Sequence, residues 1–209
     1  MSGTSMATPY VSGCAALVLE SLQKSLADGS LVKLAERTKP TKFIKLGNDH
    51  YGTGTGVTVI REKCFAQTAW NAAYNNFNVF MGCTLDNICD NYPLKLDKEI
   101  QDCIIPVPIV VAEGNGVSTL HTIYRLAFPL SCTEVGLSGW QTEGTAFAYF
   151  NSNSRRIGRL EDTNTAVYWG LRSPYSGAGS AYCVGAVGTL VGSSVYDAGF
   201  AARPAFNLQ

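Results

Sequence analysis

Residues 167–209 constrain the fold more than any other stretch. Val167-Tyr168-Trp169-Gly170-Leu171-Arg172-Ser173-Pro174 reads as a buried strand running into a loop, and Phe200 to Leu208 as a terminal strand. Between them, Tyr175 to Gly199 is about two-thirds Gly, Ser, Ala and Tyr. That composition suits a binding loop, where Tyr supplies rigid amphipathic area and small residues let the backbone adapt. It equally suits two strands that need small residues to pack closely. Neither option is a helical bundle, and at 209 residues the chain holds one ordinary domain rather than two large ones.

Upstream, apolar residues from Ala7 through Val11, Ala15, Val18, Leu19 and Leu22 recur at helical spacing, and Asp28-Gly29 stops that run. Strand-type segments follow at Leu31 to Ala35, Lys42 to Leu46 and Val57 to Arg61, with a Gly- and Thr-rich turn from Asn48 to Gly56. The pattern becomes helical from Thr68 to Ile104. It is extended from Ile104 to Val111, turns at Glu113-Gly114-Asn115-Gly116, and reads as strand from Thr119 to Leu130. Cys132 to Val135 is a short helical turn that Ser131 is placed to cap. Many short strands with a few short helices make an α+β fold.

Charge excludes several function classes. Lys+Arg and Asp+Glu both number 16, so no global field holds nucleic acid or an anionic membrane. No apolar run reaches the ~18 residues of a spanning helix, so membrane insertion is not expected, and the first ten residues lack the basic start of a signal peptide. Seven cysteines at irregular spacing make a poor disulfide framework and read as buried thiols of a reduced compartment. With no Cys-x-x-Cys and only His50 and His121, no metal site and no cofactor are expected. Asp86, Asp90, Asp97, Glu99 and Asp102 read as a solvated face, and Arg155, Arg156 and Arg159 as a solvated basic loop.

Ser2-Gly3-Thr4-Ser5-Met6-Ala7-Thr8-Pro9-Tyr10-Val11-Ser12-Gly13 resembles the nucleophile motif of subtilisin-like serine proteases. The resemblance implies that Ser5 opens a helix and attacks a peptide carbonyl, the helix N-terminus helping to hold the developing oxyanion. Tyr10 stands where the family usually has His. A Ser hydroxyl needs an adjacent base, and in that family the Asp and His precede the Ser. Only four residues precede Ser5 here. The chain as written is therefore expected to be inactive as a peptidase, either the tail of a longer protease or a helix kept for packing.

A second resemblance covers residues 28–209. Asp28 to Leu34, Lys42-Phe43-Ile44, Val57 to Lys63 and Ala69-Trp70-Asn71 open it. Phe128 to Gly136, Tyr168 to Pro174 and Ala202-Arg203-Pro204-Ala205-Phe206 continue it. These landmarks resemble a DUF6273-type domain of Firmicutes and their phages, which is similar to C-type-lectin-like folds, including the variable proteins of diversity-generating retroelements. The resemblance implies a single C-type-lectin-like α+β domain over 28–209, preceded by an N-terminal helix over 1–27. It also implies a virion or bacterial-surface setting.

The function expected is non-enzymatic recognition of a cell-surface protein or glycan, with the oligomeric state left open. Ligand contact is expected from Tyr175, Ser176, Ser180, Tyr182, Ser193, Ser194, Tyr196 and Asp197. Trp169, Arg172, Arg203 and Phe206 are expected to be structural. Both arginines should tie the C-terminal strands, with Glu134 or Asp162 as partners, because a buried guanidinium needs a carboxylate or several carbonyls. The alternative is a C-terminal piece of a subtilisin-like endopeptidase with an appended binding domain.

Overall fold

The computed structural model describes residues 41–54, 56–73 and 77–209. The expected helix over 1–27, the Leu31 to Ala35 strand and Ser5 lie outside these residues. Phe43–Leu208 forms a compact unit.

Strands dominate it. In chain order they are Phe43–Asn48 (β1), Val57–Arg61 (β2), Ala66–Thr68 (β3), Ile104–Ile105 (β4), Val107–Gly114 (β5), Val117–Arg125 (β6) and Ala127–Phe128 (β7). Gly158–Arg159 (β8), Ala166–Val167 (β9), Trp169–Pro174 (β10), Ser180–Val184 (β11), Leu190–Ser194 (β12), Phe200–Ala202 (β13) and Ala205–Leu208 (β14) complete the set. The helices are one or two turns long: Thr84–Asp90 (α1), Lys98–Gln101 (α2) and Asn153–Arg156 (α3).

The architecture corrects the α+β expectation. Among the described residues 39% are strand and 13% helical, spread over several sheets, so the unit is mostly β and not the C-type-lectin-like α+β domain anticipated. The main loss is between Thr68 and Ile104. Gly82 takes a left-handed φ of 79° before α1, and Pro93 confines the next stretch to a single 3-10 turn at Tyr92–Lys95. A second gain in strand comes from the small-residue stretch after Tyr175, which carries β11 and β12 as an antiparallel pair.

Two five-stranded sheets organise the unit. One runs β1-β2-β14-β4, with β7 also on β14, and the other runs β12-β11-β10-β13-β3. Two further hairpins are β5-β6 and β8-β9. The terminal stretch read as one strand is therefore two, β13 in the second sheet and β14 in the first. The chain changes sheets at Arg203-Pro204. Proline offers no N–H there, and its carbonyl accepts from the Arg61 backbone N–H at 3.0 Å.

The core fills the space with Trp70, Phe80, Phe128, Trp169 and Phe200, while Phe206 and Tyr92 lead a smaller cluster. Both buried indoles have partners: Trp70 donates to the Leu171 carbonyl at 2.7 Å and Trp169 to that of Arg156 at 2.8 Å. Cys64, Cys83, Cys89, Cys132 and Cys183 are buried free thiols. Burial pushes Cys64 up to about 11 and Cys83, Cys132 and Cys183 up to about 12, far from the range of a reactive thiolate. Asp86 is not on a solvated face. It is buried and takes both Arg125 Nε and Nη2, at 2.8 and 2.7 Å. Among the described residues no helix is long and apolar enough to cross a membrane, and no cluster of potential metal ligands occurs.

Candidate functional site

The β10-β11-β12 meander carries most of the residues singled out in the sequence, and register sorts them. Ser180 pairs with Ser194 and Tyr182 with Gly192, so these four share one face, while Ala181 and Ser193 share the other. Tyr175, in the loop between β10 and β11, lies over that first face. A Cβ at Gly192 would sit 3.1 Å from its ring, so the absent side chain is what lets the ring approach the strand this closely. The Tyr175 and Tyr182 ring centroids are 5.0 Å apart at 51°. Tyr175 remains 42% exposed. Burial pushes the Tyr182 phenol above its usual range, so it stays a neutral hydroxyl.

The other candidates are not brought together with this pair. Asp197 uses both carboxylate oxygens in its own turn, accepting from the Gly199 N–H at 2.9 Å and from Ser193 Oγ at 3.2 Å. Tyr196 packs against the core. Ser176 lies on the exposed loop beside Tyr175.

One residue that organises this surface was missed from the sequence. Asn78 is buried, and its Nδ2 donates to the carbonyls of Tyr175, Gly177 and Ser180 at 2.8, 2.9 and 2.6 Å. Its Oδ1 accepts from the Asn115 N–H at 2.6 Å. A single amide thus fixes the loop under Tyr175 and the turn between β5 and β6. Gly114 in that turn has φ 84° and presses on the Asn78 backbone, where no Cβ fits. The available signal was the Asn-rich run from Asn71 to Asn78, since Asn competes with helical hydrogen bonds and favours turns.

Arg172 anchors the same meander from below. Its Nη1 and Nη2 donate to Glu134 at 2.6 and 2.7 Å, its Nε donates to Val110 O at 2.8 Å, and Pro129 O and Glu143 O complete the set at 3.2 and 3.3 Å. Glu134 also accepts from Tyr51 Oη at 3.0 Å and from the Ser131 N–H at 3.1 Å, while Ser131 Oγ accepts from the Glu134 N–H. This is a reciprocal capping box on the turn after β7. Burial opposes the Arg172 charge, yet the Glu134 carboxylate outweighs it and holds the guanidinium above its usual range. Glu143 is also buried, and burial raises its carboxyl above the usual carboxylate range. One of its oxygens accepts from the Ala112 N–H at 2.9 Å, while Oε2 has no hydrogen-bond partner among the described residues.

Residues 55–209, well over half of the chain, match the family described as a domain of unknown function, DUF6273. The chain belongs to the DUF6273 family. Residues 1–54 match the subtilase family, so a subtilase-type segment and a DUF6273 domain follow each other in one chain. The boundary at 55 falls inside the β1-β2 turn, whereas β1 pairs along β2 as part of the same sheet. No curated protein and no solved structure matches the sequence.

Among the described residues, His50 Nε2 lies 3.3 Å from the Thr145 hydroxyl and no carboxylate hydrogen-bonds to the His50 ring. His50 stacks on Phe147 at 3.7 Å, and burial lowers it from its usual range. His121 pairs with Glu113 at 3.2 Å on the β5-β6 hairpin.

Proposed function

We propose that the DUF6273 domain is a non-enzymatic recognition module that uses the Tyr175, Tyr182, Ser180 and Ser194 face to hold a glycan, in the phage-derived or bacterial-surface setting expected from the sequence. The observation that carries this reading is the exposed Tyr175 ring. It lies against Gly192, packs on Tyr182, and rests on a loop whose carbonyls at Tyr175, Gly177 and Ser180 share the two N–H hydrogens of the Asn78 amide. An aromatic platform with flanking hydroxyls offers a sugar ring both a stacking face and hydrogen-bond partners. A pinned loop loses little entropy on binding. The test is binding of the full chain to a glycan array and to whole bacterial cells. Tyr175→Ala should weaken binding at least tenfold while leaving the unfolding midpoint nearly unchanged. Retained affinity in that variant, or no binding by the wild-type chain to either target, contradicts the reading.

A second reading is favoured by the subtilase match to residues 1–54. In it the recognition domain serves a subtilisin-type serine endopeptidase, with Ser5 as nucleophile, and brings substrate or surface to it. Joined behind a segment that supplies the subtilase Asp and His, the chain should be labelled at Ser5 by a fluorophosphonate probe and a Ser5→Ala variant should not; no labelling of that joined protein opposes the reading, and this chain by itself is expected to stay unlabelled.

A further inference from the structure

The change of sheets at Arg203-Pro204 opens a cavity of about 220 Å³ beside Arg203. Lys63, Arg155, Arg159 and Arg203 all line it, and Glu62 is the single carboxylate among the lining side chains. Such a concentration is unexpected in a chain whose basic and acidic residues balance at 16 each. Ile44, Ile157 and Tyr149 supply the apolar part of the wall, and the Arg155 guanidinium lies 4.9 Å over the Tyr149 ring, which holds it in place.

Arg203 supplies an independent observation. It is 2% exposed, yet it makes one hydrogen bond, from Nε to Arg61 O at 3.0 Å, and stacks 5.1 Å over Trp169. Its Nη1 is buried with no hydrogen-bond partner. Glu62, the carboxylate whose charge acts on Arg203, forms no ion pair with it, and Glu161 is committed to Arg61 at 2.6 Å. Among the described residues no ion pair joins Arg203, Lys63, Arg155 or Arg159 to a carboxylate. Burial holds Arg203 below its usual range, outweighing the opposing pull of Glu62. A buried, unpaired cation is costly to a fold that makes no use of it. Guanidinium groups converging on a concavity are also the standard means of holding an oxyanion.

We propose that this cavity, walled by Arg203, Arg155, Arg159 and Lys63, is a binding site for a phosphate-type oxyanion, either free or as the end group of a sugar phosphate. The cavity lies below the ~300 Å³ at which drug-sized pockets begin, which fits a small anionic group better than a large organic ligand. Its charge comes from side chains rather than from a helix end. It shares no residue with the tyrosine face, so the two sites can fail separately.

Isothermal titration calorimetry of the full chain with inorganic phosphate and, separately, glucose 6-phosphate tests the site, at constant ionic strength set with potassium chloride. The expected result is saturable binding of at least one of them. Binding of inorganic phosphate assigns the site to the free ion, and binding of the sugar phosphate alone assigns it to an end group. Arg155→Gln/Arg159→Gln, which alters exposed side chains only, should weaken binding at least tenfold. Arg203→Met should do the same. Should Arg203→Met fail to fold, the double variant still decides the matter. Absence of saturable heat with both ligands, or unchanged affinity in the double variant, overturns the proposal.

Discussion

Two of the four arginines buried among the described residues, Arg172 and Arg203, lie thirty-one positions apart and are treated in opposite ways. Arg172 spends every guanidinium group on Glu134 and three backbone carbonyls, and its charge is held up by that carboxylate. Arg203 makes one hydrogen bond, leaves Nη1 without a partner, and has its charge opposed by burial. Burial alone therefore does not tell a structural cation from a poised one. The informative quantity is how many of its donors the fold itself satisfies. A closed network such as that of Arg172 specifies packing, whereas an open one such as that of Arg203 leaves capacity for something the fold does not contain.

The largest effect expected from this contrast is at Arg172. Arg172→Met leaves Glu134 as a buried, uncompensated carboxylate, and should cost about 3–5 kcal/mol in urea unfolding. Asn78→Ala removes the amide that ties two turns: the two N–H hydrogens shared among three carbonyls, of which Ser180 O keeps the Tyr175 N–H, and the acceptor of the Asn115 N–H. A loss of about 2–3 kcal/mol is expected, with faster amide exchange in 175–180 as the accompanying sign. Measured stability within about 0.5 kcal/mol of wild type would show that the loop holds itself.

A third prediction concerns pH. The Glu143 carboxyl is raised in the folded state by burial. The folded protein therefore binds this proton more tightly than the unfolded chain. The resulting stabilisation is complete below the ordinary carboxylate range and is lost as pH rises from there through the folded value. Glu143→Gln should flatten the stability profile across that window; an unchanged slope would place its origin elsewhere. The smallest effect is expected at Arg203. Arg203→Met gives up one hydrogen bond and the Trp169 contact but removes an unpaired buried charge. Its stability in phosphate-free buffer should stay within about 1 kcal/mol of wild type.

The same contrast shows what the sequence made legible. β2 was readable to the residue, Val57–Arg61, because its unbroken run of four β-branched residues, Val57 to Ile60, favours a strand. The Ser131 cap on the turn from Cys132 to Val135 was readable because donor and acceptor lie within one turn of chain, whereas the return bond from the Ser131 N–H to Glu134 was not read. Local periodicity overreached between Thr68 and Ile104. Apolar residues there serve separate short elements broken by Gly82 and Pro93, and α1, the 3-10 turn at Tyr92–Lys95 and α2 are the pieces that remain of the long helical pattern. The division of Phe200 to Leu208 between two sheets was invisible, since both halves look like one extended run and only tertiary pairing separates them at Arg203.

Site chemistry was legible by residue type but not by fate. Tyr175 and Asp197 look alike as candidates in the Gly- and Ser-rich stretch, yet one is exposed on a platform and the other is consumed by its own turn. Arg155, Arg156 and Arg159 read as one solvated patch. The structure buries Arg156 among the carbonyls of Val135, Gly136 and Phe150 and places its two neighbours in the wall of the cavity at Arg203. The carbonyls of Val135 and Gly136 that satisfy Arg156 come from a turn some twenty residues earlier, and no local pattern records them.

The most direct test of the central contrast is a side-by-side urea denaturation of Arg172→Met and Arg203→Met in phosphate-free buffer. The account predicts a loss of about 3–5 kcal/mol for the first and a change within about 1 kcal/mol for the second. Equal losses in the two variants would contradict it, and would make Arg203 a structural tie like Arg172.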